Sequence, residues 1–388
     1  MVTVTKRQFW LDKISRTWEK TNLIWLYGVR RTGKTFLCRS IANAEYFDCE
    51  LPRTRRLFDD PEEFYNRLKS KKIIIDEIHR LNNPSELLKI GTDYYPNIKI
   101  IATGSSTLGS SKKFKDTLTG RKKDLWLLPM TLDDLADFKN TDLPYRLHRG
   151  GLPPFFLSKT YPQVEFQEWM DDYWDKDIVE LFRLERRYSF QKFIELIFMQ
   201  SGGIFEANSF ARPCEVSRTT IANYLKVLEA TAVALVIRPY SRYKSNEIIS
   251  APKVYGFDTG FVSYFKGWES LRTEDMGVLW EHFVLNEICA NLQTKKINYW
   301  RDKRGHEIDF IIVQSESNPS AIEIKWKVAD FNPRNLFAFR RRYPKGKNYI
   351  ISSDVDRVFS RKYNGLKVIF CNIREFLKEY KYFKFTSQ

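Results

Sequence analysis

With 388 residues, 43% hydrophobic and 29% charged, the chain has the composition of a folded soluble protein and is too long for one ordinary core. A net charge of +16 creates a field suited to polyanions, DNA first with RNA also open, although solubility alone is the plainer reading. Five scattered cysteines without CxxC spacing, no apolar leader and no uninterrupted apolar run of about 18 residues argue against zinc ribbons, disulfide frameworks, export and membrane insertion. A reducing cytoplasm fits, with no membrane partner.

The first informative element is an apolar strand over Leu23 to Tyr27, followed by Gly28-Val29-Arg30-Arg31-Thr32-Gly33-Lys34-Thr35 and a helix-compatible stretch from Phe36. This is the GxxxxGK[ST] loop in its strand-loop-helix setting. Its glycines let backbone amides wrap phosphates, and the helix N-terminus adds a positive dipole end. The stretch Gly28 to Phe36 is therefore read as the ATP-binding loop. Lys34 is expected on the β- and γ-phosphates, and Thr35 on Mg2+.

A second buried strand, Ile73 to Ile75, ends in Asp76 and Glu77. Acids at the carboxyl edge of a parallel sheet lie where ligands bind, so Asp76 is read as the water-mediated holder of Mg2+ and Glu77 as the base for the attacking water. A third strand, "NIKIIATGSS", brings Thr103, Ser105 and Ser106 to the same edge as candidate γ-phosphate sensors, with a plain Gly-Ser turn as the alternative. Arg121, after a glycine, either reaches the γ-phosphate of a neighbouring copy or lies on a basic face. His79 is read as a helix-side contact.

Further along, "GGLPPFF" punctuates the chain near Gly150. Helical periods follow, then Ser217 caps a predicted helix over Arg218 to Ala230 with Ile221, Tyr224, Leu225 and Leu228 inward. That order suits a winged helix-turn-helix, which either contacts DNA or serves as a packing module. The expected division is 1–148 for the ATPase core, 149–245 for a helical lid with the winged-helix module, and 246–388 for a terminal domain. The predicted fold class is α/β, with a parallel-sheet core, an all-α lid with the helix-turn-helix, and an α/β terminal domain.

The terminal third predicts helix, strand, strand, turn, strand. Glu281 lies on the helix, Asp309 opens one strand, and Glu323 and Lys325 share one face of the next. Three carboxylates make an oxygen site for Mg2+ or Mn2+, beside which Lys325 can position water or stabilise the transition state. Alternatively, Asp309 caps a turn while Glu323 and Lys325 are solvated edge charges. His282 and His306 are read as structural.

"GVRRTGKT", "IIIDEIHRL", "IIATGSS", "LTGRKKDLWLLPMTLDDL", "GGLPPFF", "APKVYGFDTGF" and "GHEIDF…IEIK" together resemble the prokaryotic AAA+ ATPases that carry a C-terminal nuclease-like domain of unknown function. The resemblance runs from about Trp10 to beyond Lys325. It implies an AAA+ core working as a homo-oligomer, as a ring or dimer, with an arginine supplied between subunits. The terminal stretch further resembles the PD-(D/E)XK nuclease fold, particularly archaeal Holliday-junction resolvases. That resemblance makes Glu281, Asp309 and Glu323 the metal ligands and Lys325 the catalytic lysine. The function expected is ATP-driven action on DNA with a nuclease-like terminal domain; the rival is a nucleotide-controlled assembly switch whose terminal domain has lost chemistry.

Overall fold

The computed structural model describes residues 5–104, 114, 117–179, 182, 184, 186–241, 251–313 and 318–386. Two compact units form. One comprises Met1–Asp142, Gly151–Arg187 and Lys226–Val233; the other comprises Leu143–Gly150, Tyr188–Leu225 and Ala234–Gln388.

The first unit opens with helix α1 (Gln8–Trp18), strand β1 (Leu23–Tyr27), α2 (Lys34–Arg39), β2 (Glu45–Asp48), α3 (Pro52–Arg56) and α4 (Pro61–Asn66). It continues with β3 (Lys72–Asp76), α5 (Pro84–Tyr94), β4 (Lys99–Thr103), β5 (Lys122–Trp126) and α6 (Leu132–Asp137). The five strands pair in parallel in the order β2-β3-β4-β1-β5. Strands β1, β3 and β4 are nearly unbroken apolar runs because a parallel sheet is covered on both faces. Trp25, Ile73, Ile75, Leu88, Ile100 and Phe114 meet in the core beneath. Helix α5 approaches closely at Gly91, where a Cβ would stand 2.2 Å from the Tyr65 hydroxyl. The α/β parallel-sheet core expected from the sequence is thus present.

The second unit starts with α7 (Leu143–Arg149), while α8 (Pro153–Phe156) and α9 (Gln163–Asp172), which runs into a π-helical turn at Tyr173–Val179, belong to the first. The chain then forms α10 (Arg187–Met199), β6 (Gly203–Ile204), α11 (Ala207–Ala211), α12 (Arg218–Ala230), β7 (Ala234–Pro239) and β8 (Lys253–Gly256). Next come α13 (Thr259–Phe265), α14 (Thr273–Leu292), β9 (Asn298–Arg301), β10 (Glu307–Val313) and β11 (Pro319–Lys325). The chain closes with α15 (Arg334–Arg342), β12 (Asn348–Ser352), β13 (Phe359–Tyr363), β14 (Leu366–Cys371) and α16 (Ile373–Thr386).

The nine strands of this unit among the described residues join one mixed sheet, in the order β13-β14-β12-β11-β10-β9-β7-β8-β6. The small antiparallel set β6-β8-β7 therefore continues through a parallel β7–β9 pairing into the terminal strands. A nonpolar layer of Trp300, Ile308, Ile311, Leu336, Phe339 and Ile350 packs α15 onto the sheet. Gly150 takes φ +85°, and a Cβ there would lie 2.0 Å from Asp258, so this glycine marks a close chain approach inside this unit.

Candidate functional site

The phosphate loop leaves β1 at the carboxyl edge of the first sheet. Gly28 is required there because a Cβ would stand 2.2 Å from the Leu127 carbonyl, and Gly33 adopts φ +92° as it enters α2. Lys34 Nζ donates to the carbonyls of Gly28 at 2.9 Å and Val29 at 3.2 Å. Thr35 Oγ1 donates to Asp76 Oδ2 at 2.9 Å, so the hydroxyl and carboxylate predicted to hold Mg2+ are adjacent. Thr103 donates to the other oxygen of Asp76 and accepts from the Glu77 amide at 3.2 Å. Of the three sensor candidates, Thr103 is thereby wired to both acids; Ser105 and Ser106 lie outside the described residues.

Glu77 sits at φ +53°, a left-handed conformation costly for a residue with a side chain and common at functional sites. Its Oε2 is 3.1 Å from His79 Nδ1. Burial works to raise the Glu77 carboxyl, but the His79 contact and the charges of Lys34 and Arg30 hold it below the usual range, which keeps it ionised as a base must be. Burial pushes the Lys34 amine down, opposed by Glu77, Asp177 and Asp76. A cavity of about 860 Å3 opens over these groups, wide enough for a nucleoside triphosphate.

The loop is braced by residues the sequence reading did not single out. Arg7 makes a two-pronged ion pair with Asp134 at 2.8 and 2.7 Å and donates to the Thr32 carbonyl at 2.8 Å. Asp134 also closes the capping box of α6 with Thr131. Arg30 pairs with Asp177 at 3.0 Å and Arg31 with Asp172 at 3.0 Å, so the variable positions of the loop are clamped by α9 and its π-helical extension. Tyr46 of β2 donates to Asp76 Oδ2, beside the Thr35 bond. Arg121 does not line the cavity; it makes a paired bond to Asp93 at 2.7 and 3.0 Å.

The second site lies where β8, β10, β11 and α14 of the second unit converge. Strand β11 is hydrogen-bonded on both sides, to β10 and β12, and Glu323 is only 1% exposed, which removes the solvated-edge alternative. Lys325 Nζ is 3.5 Å from Glu323 and 3.9 Å from Asp309, whose Oδ2 accepts from the Ile324 amide at 2.7 Å. Glu323 Oε1 is buried without a hydrogen-bond partner. Burial and then the Asp309 charge push the Glu323 carboxyl up to about 8, and the same two causes raise Glu281 to about 7. The charges of Asp309, Glu323 and Glu281 outweigh burial and raise the Lys325 amine.

Strand β8 supplies two further partners. Lys253 pairs with Glu307 and stands 3.7 Å from Glu281, and the Tyr255 hydroxyl donates to Glu281 at 2.5 Å. The alternation Lys253-Val254-Tyr255 in "APKVYGFD" was the available signal, because residues two apart on a strand share a face. The acids are thus interleaved with amines. Among the described residues no three His, Cys, Asp or Glu side chains are drawn together tightly enough to cage a metal. The donor chemistry still fits a hard divalent cation, through the orphaned Glu323 oxygen and the carboxylates of Asp309 and Glu281.

His282 and His306 both bond within the protein. His282 is buried with Nε2 on the Gly256 carbonyl, and burial lowers it to about 4. His306 Nδ1 is 2.8 Å from Asp302 within the β9–β10 turn.

Residues 20–136 match the family model of an AAA domain, which together with the phosphate loop and the parallel sheet supports a P-loop ATPase in this part of the chain. Residues 140–272 match one domain of unknown function (DUF8612), and 276–373 match another (DUF4143). The chain is 26% identical over 325 residues to an uncharacterized protein of Mycobacterium tuberculosis, covering 81% of this chain and 72% of that one. It is 25% identical over 356 residues to an uncharacterized protein of Methanocaldococcus jannaschii, with 81% and 77% covered. Among solved structures, a DNA replication initiation factor is 14% identical at a TM-score of 0.27, covering 58% of this chain and 87% of that one. The Bacillus subtilis DNA clamp loader delta protein is 12% identical at 0.26, covering 57% and 88%. No helix among the described residues is long and apolar enough to cross a membrane.

Proposed function

We propose that this protein couples ATP hydrolysis in its first unit to action on DNA, working as a homo-oligomer, and that its second unit carries a metal-dependent nuclease-like site. In the first unit Lys34 and the loop amides hold the phosphates, Thr35 and Asp76 hold Mg2+, and ionised Glu77 takes the proton of the attacking water. Arg121, anchored by Asp93 and partly exposed, is assigned to the γ-phosphate of a neighbouring copy.

The observation that carries the nuclease-like reading is Glu323: a buried acid with one orphaned oxygen, next to Asp309 and Lys325 on paired interior strands. Glu281, Asp309 and Glu323 would hold Mg2+ or Mn2+, and a cation there would neutralise the scissile phosphate and acidify a bound water. Lys325, kept protonated by the three acids, is placed to stabilise charge developing on the phosphate oxygens. The order helix, strand, two helices, two strands from α10 to β8 is that of a winged helix, and it supports DNA contact through α12.

A second reading rests on the interleaved lysines. If Lys253 and Lys325 satisfy the acids permanently, the terminal domain binds without cutting and the protein is a nucleotide-controlled switch. The test is incubation of linear, branched and single-stranded DNA with Mg2+ or Mn2+. Cleavage abolished in Asp309→Ala, Lys325→Ala supports the nuclease; cleavage unchanged in that double variant rejects the site; no cleavage of any substrate by the parent protein, with ATP turnover intact, supports the switch.

A further inference from the structure

Two basic runs lie about forty residues apart in the sequence, Arg301 to Arg304 and Arg340 to Arg342. The fold brings them together. The β9–β10 turn and the C-terminal end of α15 form the two walls of a cleft of about 610 Å3, with buried Tyr240, Trp300 and Tyr343 at its base.

One arginine of the second run serves the fold. Arg340 is turned inward and is 7% exposed, bonding Asn348 and the carbonyls of Tyr343 at 3.1 Å and Pro319 at 3.1 Å. Burial lowers it to about 10, the behaviour of a structural cation. Arg341 and Arg342 instead face the cleft with Lys303 and Arg304, all exposed, and among the described residues none of the four has a carboxylate partner. Arg301 is 3.8 Å from Glu307. Asp302, the one acid lining the cleft among the described residues, is occupied within its own turn by His306 and by the amides of Arg304 and His306.

Four cations without carboxylate partners on one recess, of which Arg342 also lies 5.9 Å from the Tyr343 ring centre, repel one another, a cost that a bound polyanion removes. The aromatic residues of the cleft, Tyr240, Trp300 and Tyr343, are buried and offer little surface for stacking on bases. Recognition there is of phosphates.

We propose that this cleft is a binding site for the sugar-phosphate backbone of a DNA strand. The proposal rests on the reading that the protein acts on DNA and names the surface that does the holding. Arg301 links the cleft to Glu307, which pairs with Lys253 beside Glu281, so the held strand is anchored next to the carboxylate–lysine site of the same unit.

The test uses the full chain and fluorescently labelled single-stranded and duplex DNA, titrated by anisotropy over a range of salt. The double variant Arg304→Glu, Arg341→Glu should weaken binding at least tenfold and flatten the salt dependence by about 0.7–0.9 in log–log slope for each phosphate that is no longer neutralised. A control, Lys362→Glu, Lys367→Glu, makes the same charge change at exposed positions of β13 and β14, and should weaken binding no more than about threefold. Thermal melting of both variants checks folding. Equal weakening by the two doubles, or a cleft variant that binds like the parent, would overturn the cleft. A parent protein that binds anionic vesicles but no DNA would overturn the DNA reading itself.

Discussion

The two candidate sites use opposite electrostatic designs. The phosphate loop offers fixed positive potential from backbone amides, a helix end and Lys34, with Glu77 held ionised and Asp76 hydrogen-bonded. The terminal site buries acids that burial and mutual repulsion push toward neutrality, and interleaves them with Lys253 and Lys325. The first is complete for an anionic ligand as it stands. The second is matched within itself, acid against amine.

The contrast can be broken most sharply at Glu77. Glu77→Gln should lower ATP turnover about a thousandfold while nucleotide affinity changes little, since only the proton acceptor is removed. Turnover within threefold of the parent would remove Glu77 from the mechanism. Next in size is Asp134→Ala, which leaves Arg7 buried without its partner; such losses cost about 3–5 kcal/mol. Calorimetry should show the first unit melting earlier, and ATP affinity should fall because Arg7 also holds the Thr32 carbonyl.

Lys253→Met probes the other side. Partners behind a ligand typically contribute 10–100-fold to metal affinity or activity, so Mn2+ binding by calorimetry should change by about that factor, with ATP turnover unaffected. An unaltered Mn2+ isotherm would show that β8 has no part in the site. The smallest effect is in pH. The folded unit holds the Glu323 proton more tightly than the unfolded chain does, so the stability from this group is present below about pH 4.5 and is lost as pH rises toward 8. In metal-free buffer Glu323→Gln should flatten the decline of the second unit's melting temperature between about pH 5 and 8. A parallel, unflattened profile would mean that Glu323 titrates normally.

These sites also differ in how far they could be read from sequence. A loop whose geometry is set by eight consecutive residues is legible, because Gly28, Gly33 and Lys34 act through the local backbone. So is an apolar strand ending in acids, as at Asp76 and Glu77. Arg7, Asp134, Tyr46 and Asp177 were not legible, since each acts across the tertiary fold on a partner that no spacing rule connects. At the terminal site period-two alternation placed Glu323 and Lys325 together. It could not show that β11 is an interior strand, nor that β8 brings Lys253 and Tyr255 to Glu281. The pairing of β7 with β9 was invisible for the same reason: strand order is a tertiary fact.

That pairing governs what the second unit can do mechanically. The Tyr240 amide donates to the Tyr299 carbonyl at 2.5 Å within the parallel β7–β9 pairing, and the Tyr299 side-chain hydroxyl donates to the Ala251 carbonyl at 2.6 Å. A ladder of backbone bonds crosses from the β6-β8-β7 set to the terminal strands without a linker. The unit is in that respect a ruler and not a hinge: if it holds and cuts DNA as proposed, the spacing between the held stretch and the carboxylate–lysine site would be set by the sheet, and cleavage products would carry that length as their signature.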